Sequence, residues 1–215
     1  MDEKTKLVIF DFDGVIIDSI EVMFKNMQKL FPGLTWEEFQ EGTKSPIKER
    51  DEYFAERHKP ISKSRAEKVQ KIYAKEKLAS ALIHKGMKMT IKDLNKKYFL
   101  AINTNAREAN LVPILKECGV YKYFDLIESG GTAQSKVDKS ESIMSELGVS
   151  PYDSVFITDT TGDVLDAEEA GMSAIGVTWG VHKREDFEGG EVGDGIVAVV
   201  ESSDELYNAI SDHFD

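Results

Sequence analysis

Leu7 to Ser19 reads LVIFDFDGVIIDS, and the fold of the chain is legible from this stretch outward. Leu7 to Phe10 is an unbroken apolar run of four residues without polar alternation. A strand of that kind is buried on both faces, as in a parallel sheet. Two acids, Asp11 and Asp13, follow at once, and Gly14 comes next. An apolar strand that ends abruptly in carboxylates puts charge at the edge of a sheet, where ligands of open α/β folds bind.

Similar runs recur downstream. Tyr98 to Ile102, Phe124 to Ile127, Val155 to Thr158, Ala174 to Val177 and Ile196 to Val200 each predict a short buried strand. Helical spacing appears between them, over Ala106 to Cys118, Ser135 to Leu147, Asp163 to Ala170 and Asp204 to Phe214. Gly119, Gly148 and Gly171 stand where the first three would stop. Strands alternating with helices across short links predict a doubly wound, Rossmann-like α/β core with a mostly parallel sheet. The segment 19–90 differs. It is rich in Lys, Glu, Gln and Met and is broken near Pro32-Gly33, Ser45-Pro46 and Pro60. It predicts three or four amphipathic helices, more than one crossover needs. The expected organisation is a core of residues 1–18 and 91–215 with a helical subdomain at 19–90.

Bulk properties narrow the function. The 215 residues include 27 basic and 39 acidic side chains, a formal net charge of −12. That field repels nucleic acid and anionic membranes. It also repels phosphorylated substrates, so a phosphate-ester substrate would need local cations. Cys118 is the only cysteine, so no intrachain disulfide can form and a reducing cytoplasm is the expected compartment. The opening MDEKTKLVIF lacks the long apolar region of a signal peptide, and no run is long enough to span a bilayer.

The strand ends then define the chemistry. Asp11-Phe12-Asp13-Gly14 follows the first predicted strand, Asn103-Thr104-Asn105 the second, and Asp159-Thr160-Thr161-Gly162-Asp163 the fourth. Four carboxylates at one edge repel each other unless a cation sits among them. Hard oxygen ligands suit Mg²⁺. A carboxylate such as Asp11 can attack phosphorus and form an aspartyl-phosphate. Asp13 can protonate the leaving oxygen and then deprotonate the attacking water. Thr104 and a lysine can hold the phosphoryl oxygens, and Asp159, with Asp163 beside it, completes the metal site.

VIFDFDGVIIDS resembles the first motif of the haloacid dehalogenase superfamily. Ile102 to Asn105 resembles its second motif, ITDTTGDVLDAEEAG (Ile157 to Gly171) its fourth, and GVTWG (Gly176 to Gly180) the loop that commonly follows the next strand. The match covers roughly residues 6–18 and 98–210 and is weak over the insert. It implies that Asp11 is nucleophile and metal ligand, that Asp13 is the acid/base with its carbonyl on the metal, and that Thr104 binds the phosphoryl group. Asp159 would be a metal ligand and Asp163 would support the metal. Gly14 would permit a sharp turn into a flap at Val15 to Ile17, and the insert would be a helical cap that closes over the site. Two departures stand out: Thr158 replaces a usual glycine, and the third-motif region, Ser135-Lys136-Val137-Asp138-Lys139, lacks the usual proline. The phosphate-binding lysine is Lys136 or Lys139, with Lys136 favoured by its place at a helix start. The implied activity is a phosphatase acting on a small phosphorylated metabolite, like phosphoglycolate-type phosphatases, in a monomer or homodimer.

Other readings stay beside this one. A phosphomutase would need cap residues for a second phosphate, and none is identifiable. Dehalogenase relatives lack an acid at the position of Asp13, and phospho-receiver modules lack both that acid and the insert. A non-catalytic, partner-binding relative would not need every motif acid. Asn105 reads either as a phosphate contact or as a helix cap. Asp18 and Ser19 read equally as caps of the first inserted helix or as functional residues. Trp179 and Cys118 read as packing residues and His182 as a solvated loop residue. His58 and His84 lack zinc-ligand spacing. Lys44, Lys48, Arg50, Arg57 and Lys59 read as a solvated face.

Overall fold

The structure, a computed structural model, describes residues 4–80, 82–130, 134–189, 192 and 194–215. Its main sheet has six strands: β1 (Leu7–Phe10), β4 (Phe99–Arg107), β5 (Leu126–Gly130), β6 (Ser154–Thr158), β7 (Ser173–Val177) and β8 (Ile196–Val200). Their order is β5-β4-β1-β6-β7-β8, and every neighbouring pair is parallel. The first strand is therefore central. All four of its side chains are fully buried, which accounts for its lack of polar alternation.

Successive β1 residues point to opposite faces. Val8 and Phe10 pack with α5 (Met87–Leu94), α6 (Glu108–Glu117) and α10 (Ser203–Phe214). Leu7 and Ile9 pack with α7 (Lys136–Leu147), α8 (Thr161–Glu169) and α9 (Arg184–Glu188). Each such Leu, Ile or Phe contributes roughly 1.5–3 kcal/mol on burial, so the sheet is held from both sides. Helices end where the glycines predict. Gly148 caps α7 in the left-handed conformation, and Gly119 and Gly171 also have positive φ just past α6 and α8.

Between β1 and β4 the chain forms α1 (Ile20–Leu30), α2 (Trp36–Gly42), α3 (Ile47–Arg57) and α4 (Lys63–Ser80). Thr35 and Glu38 form a reciprocal capping box at the start of α2. Ile20, Leu34, Phe39, Phe54 and the loop residue Val181 make a separate apolar cluster beneath these helices. A two-stranded antiparallel ribbon, β2 (Ile17–Asp18) with β3 (Leu82–Ile83), closes the entry and exit of the insert. The pairing of β2 with β3 was not expected from the sequence. Among the described residues no helix is long and apolar enough to cross a membrane.

Several predicted bounds shift. Helix α5 begins at Met87, and its Met87, Ile91 and Leu94 pack against the main sheet. The core therefore resumes before residue 91. The strand expected at Phe124 to Ile127 starts at Leu126. Phe124 instead turns edge-on to Phe10, and Asp125 exchanges hydrogen bonds with the Leu100 backbone. The buried face of α6 is Leu111, Ile114 and Leu115. The sequence spacing puts Ala109, Val112, Leu115 and Cys118 on one face, but Ala109 is exposed and Val112 and Cys118 are half-buried, so the buried stripe is rotated from that expectation.

Candidate active site

Sheet register alone gathers the acids. Phe10 lies opposite Ile102 on one side and Ile157 on the other. Asp11 follows Phe10 directly, and its amide donates to the Ile157 carbonyl at 2.9 Å. Thr104 and Asp159 each come two residues after those partners. Asp11, Thr104 and Asp159 thus emerge at the same carboxyl edge, as the sequence predicts. They line a cavity of about 730 Å³ between the sheet edge and helices α1, α3 and α4, shared with Asp13, Asn105, Lys136 and Asp163. A shallower hollow of about 430 Å³ beside β8, between Phe187 and Val199, contains none of these residues.

Lys136, the first residue of α7, is buried and reaches the acids from the side. Its Nζ lies 2.6 Å from Asp163 Oδ2 and 3.0 Å from Asp11 Oδ2. Ser135 caps α7 with Asp138 and fixes that start. Lys139, one turn on, points elsewhere: its Nζ donates to the Thr104 carbonyl at 2.8 Å and to Asn105 Oδ1 at 3.1 Å. Of the two candidate lysines, Lys136 faces the carboxylates and Lys139 braces the later part of β4. Asn105 does not cap α6, since that position belongs to Arg107. The Thr104 hydroxyl accepts from the Ala106 amide at 3.1 Å, and Thr104 lines the cavity.

The electrostatics show one cation too few. Burial pushes Asp11 up to about 6, Lys136 opposes this, and the charge of Asp163 adds to it. Burial and the charge of Asp11 hold Asp159 well above the usual carboxylate range, against the Val181 amide that donates to its Oδ2 at 2.9 Å. Burial acts on Asp163 too, but Lys136 and the Thr158 hydroxyl outweigh it and hold that acid down. Thr158 Oγ1 donates to Asp163 Oδ2 at 2.8 Å, which gives the side chain standing in place of the usual glycine its partner. Burial pulls Lys136 down, but Asp11 and Asp163 outweigh it and keep the lysine charged. Burial and the charge of Lys136 push Lys139 down to about 8. One lysine thus serves three buried carboxylates and sits nearest Asp163. Asp11 and Asp159 keep an anionic excess that a divalent cation would offset.

The donor set suits such an ion. Asp11 and Asp159 offer hard oxygens at one strand edge, on the lining of the same cavity. Among the described residues no group of three His, Cys, Asp or Glu side chains forms a ready cage. An ion held here would complete its shell with backbone oxygen and water.

Asp13 lies on the far side of the turn. Gly14 adopts φ +76°, and a Cβ there would overlap the Asp159 carboxylate and Ile20. Only glycine lets the backbone at this turn come so close to Asp159. Ser19 Oγ donates to Asp13 Oδ1, while Ser19 caps α1 only through its position, making no side-chain cap bond. Lys77 of α4 donates to Asp13 Oδ2 at 2.6 Å. Lys77 is 2 % exposed, and the sequence reading missed it. The available signal was Tyr73 one helical turn earlier, whose ring lies beneath the Lys77 ammonium. Arg50 of α3 also lines the cavity, its Nε buried and 3.6 Å from Asp51.

Two further readings are settled by contacts. Trp179 packs against the core and donates its indole N–H to the Val15 carbonyl at 3.1 Å. His182 is not solvated. It is 0 % exposed and bonded on both ring nitrogens, to the Thr161 amide and toward Thr43 and Gln40. Its charged neighbours in sequence, Lys183 and Arg184, concealed this.

The chain is similar to known proteins in sequence and in fold. Over 190 residues the chain is 27% identical to a phosphoglycolate phosphatase of Pseudomonas fluorescens, covering 81% of this chain and 70% of that protein. It is 35% identical over 97 residues to a probable phosphatase, IndB, of Dickeya dadantii, covering 44% of this chain and 42% of that one. The chain thus spans less than half the length of the Dickeya relative. The crystal structure of a predicted phosphatase from Clostridium acetobutylicum superposes with a TM-score of 0.77 at 21% identity, covering 98% and 100% of the two chains, which shows the shared fold. Residues 8–177 match the family described as haloacid dehalogenase-like hydrolase. That span runs from β1, with its two acids, through Asp159 and Asp163 to the end of β7, and the chain belongs to the haloacid dehalogenase-like hydrolases.

Proposed function

We propose that this hydrolase is a Mg²⁺-dependent phosphatase that cleaves a small phosphomonoester through an aspartyl-phosphate on Asp11. The carrying observation is the pairing at one strand end. Asp11 faces Lys136, and Asp13, two residues on, faces Lys77 and Ser19 across the cavity. This pairing supports a reading in which one acid meets phosphorus and the other the leaving oxygen.

In the first step an Asp11 oxygen forms a bond to phosphorus while the ester P–O bond breaks. For this step Asp13 must exchange its Lys77 contact for a proton, which it then gives to the departing alkoxide. In the second step Asp13 takes a proton from water as that water bonds to phosphorus. The Asp11–phosphate bond then breaks, releasing inorganic phosphate and restoring both acids. The Thr104 hydroxyl and the Lys136 ammonium hold the equatorial phosphoryl oxygens. Asp11, Asp159 and the Asp13 carbonyl would hold Mg²⁺, with Asp163 supporting it. When bound, the ion neutralises charge on the carboxylates and the phosphoryl group. Helices α1 to α4 serve as the cap that excludes water, with Arg50 and Lys77 on its inner face.

Purified protein with Mg²⁺ is expected to hydrolyse p-nitrophenyl phosphate or acetyl phosphate, and EDTA to stop the reaction. Asp11→Asn is expected to reduce turnover to background. Full activity in that variant would refute the nucleophile. The Pseudomonas relative's name directs the substrate panel toward small phosphorylated carboxylic acids. An inert wild type across the panel would favour a partner-binding role.

A further inference from the structure

His182 is fully buried at the junction of the two layers and is bonded to both. Its Nδ1 accepts from the Thr161 amide at 3.0 Å. A backbone N–H can only donate, so Nδ1 is the bare nitrogen and Nε2 carries the ring proton. Nε2 lies 3.1 Å from the Gln40 carbonyl and 3.0 Å from Thr43 Oγ1, and that hydroxyl also donates to Gln40 O at 2.8 Å. Thr161 opens α8, so its amide is one of the helix-start donors without an intrahelical acceptor. Gln40 lies in the last turn of α2, where carbonyls seek partners outside the helix. The imidazole therefore joins a helix start in the core to a helix end in the insert.

The backbone around His182 grips the acid loop. The His182 amide donates to the Asp159 carbonyl at 3.1 Å, and the preceding amide, of Val181, donates to the Asp159 carboxylate. On the other side Gln40 Nε2 donates to the Val181 carbonyl at 3.0 Å, and the Val181 side chain sits in the apolar cluster of the insert. The Gly162 amide meets the Thr43 carbonyl at 3.3 Å, and a Cβ on Gly162 would overlap the Ser45 and Thr43 backbone. The α2–α3 turn thus rests directly on the turn between Asp159 and Asp163.

We propose that His182 is a positioning residue that makes docking of the α2–α3 turn and seating of the Asp159–Asp163 loop a single event. The inference rests on the reading above in assigning those two acids to the reaction. The physical link is independent of it. If the cap side lets go of the ring, the ring loses its orientation and the Thr161 amide loses its acceptor. The first turn of α8, which carries Asp163, then loosens.

The test is hydrogen exchange on the whole protein, followed by mass spectrometry of peptides covering residues 40–47 and 161–164, with steady-state kinetics alongside. The variants are Thr43→Val, His182→Ala, both together, and His182→Gln. Thr43→Val alters one hydroxyl on the cap side, yet it is expected to speed exchange at residues 161–164 by about tenfold. His182→Ala is expected to speed it further, and adding Thr43→Val to it to change nothing more, because the two act through one contact. His182→Gln, with one donor and one acceptor in its amide, is expected to recover part of the protection. With an active wild type, kcat falls about tenfold in Thr43→Val while KM moves less. Wild-type exchange at 161–164 in Thr43→Val, or strictly additive effects of the two substitutions, would overturn the proposal. If His182→Ala fails to fold, Thr43→Val and His182→Gln decide it. An inert wild type would count against the phosphatase reading, while exchange would still judge the linkage.

Discussion

Asp13 is held from two directions, by Ser19 at the start of α1 and by Lys77 near the end of α4. Removing one partner of a buried ion pair typically costs about 3–5 kcal/mol, because the other charge is left unpaired. Asp13 borders the cavity, where water can reach it, so a loss of about 1–2 kcal/mol is expected for Lys77→Met, together with slower turnover. Denaturant titration should show the double variant Lys77→Met/Asp13→Asn recovering part of that loss. Wild-type stability in Lys77→Met would mean that the pair does not tie the insert to the core. A second residue-scale case is Asp166, which is 7 % exposed with Oδ2 unpartnered among the described residues. Burial, then the charge of Asp163, raises it from 3.8 to about 6. Folding thus takes up a proton there between those values. The stability that the site contributes is complete below about pH 3.8 and is lost as pH rises through about 6. At pH 7 the buried carboxylate is a burden, so Asp166→Asn should raise stability on the order of 2 kcal/mol, with the gain vanishing below about pH 4. Melting curves across pH would show it, and a pH-independent difference would contradict it.

At the scale of elements, the central strands β1 and β6 were legible because burial on both faces leaves an unbroken apolar run in each. Leu7–Phe10, Ser154–Thr158 and Ile196–Val200 fall within a residue of their predicted spans. Strand ends then carried Asp11, Thr104 and Asp159 to one edge by register, which sequence order also anticipates. What stayed hidden depends on packing between distant segments. The stripe of α6 was misread because its burial is set by the sheet beneath it. Lys77 and His182 looked like surface residues because their partners, Asp13 and Thr43, lie 64 and 139 positions away. Helices α1 to α3 of the insert have their own apolar cluster, centred on Phe39 and Phe54, whose rings stack at 6.4 Å. Phe54→Ala should cost about 3–5 kcal/mol. The loss should fall on the insert, with faster hydrogen exchange over residues 36–57 and β1 and β4 still protected. A uniform rise across the sheet would show instead that insert and core unfold together.

For the molecule as a whole, a net charge of −12 surrounds a cavity whose own cations, among them Lys136, Lys77 and Arg50, face inward. The surface discourages anions in general, while the cavity gathers these cations in one place. That contrast favours a small phosphorylated substrate over a polyanion. The same anionic excess at Asp11 and Asp159 makes the divalent cation part of the account. The central claim is that Asp11 becomes phosphorylated. Rapid acid quenching during turnover of acetyl phosphate with Mg²⁺, followed by peptide mass spectrometry, tests it most directly. The account predicts an acid-stable, hydroxylamine-sensitive phosphoryl group on the peptide containing Asp11, absent in Asp11→Asn and after chelation. Turnover with no phosphoryl group on that peptide, or with the group on another residue, would contradict it.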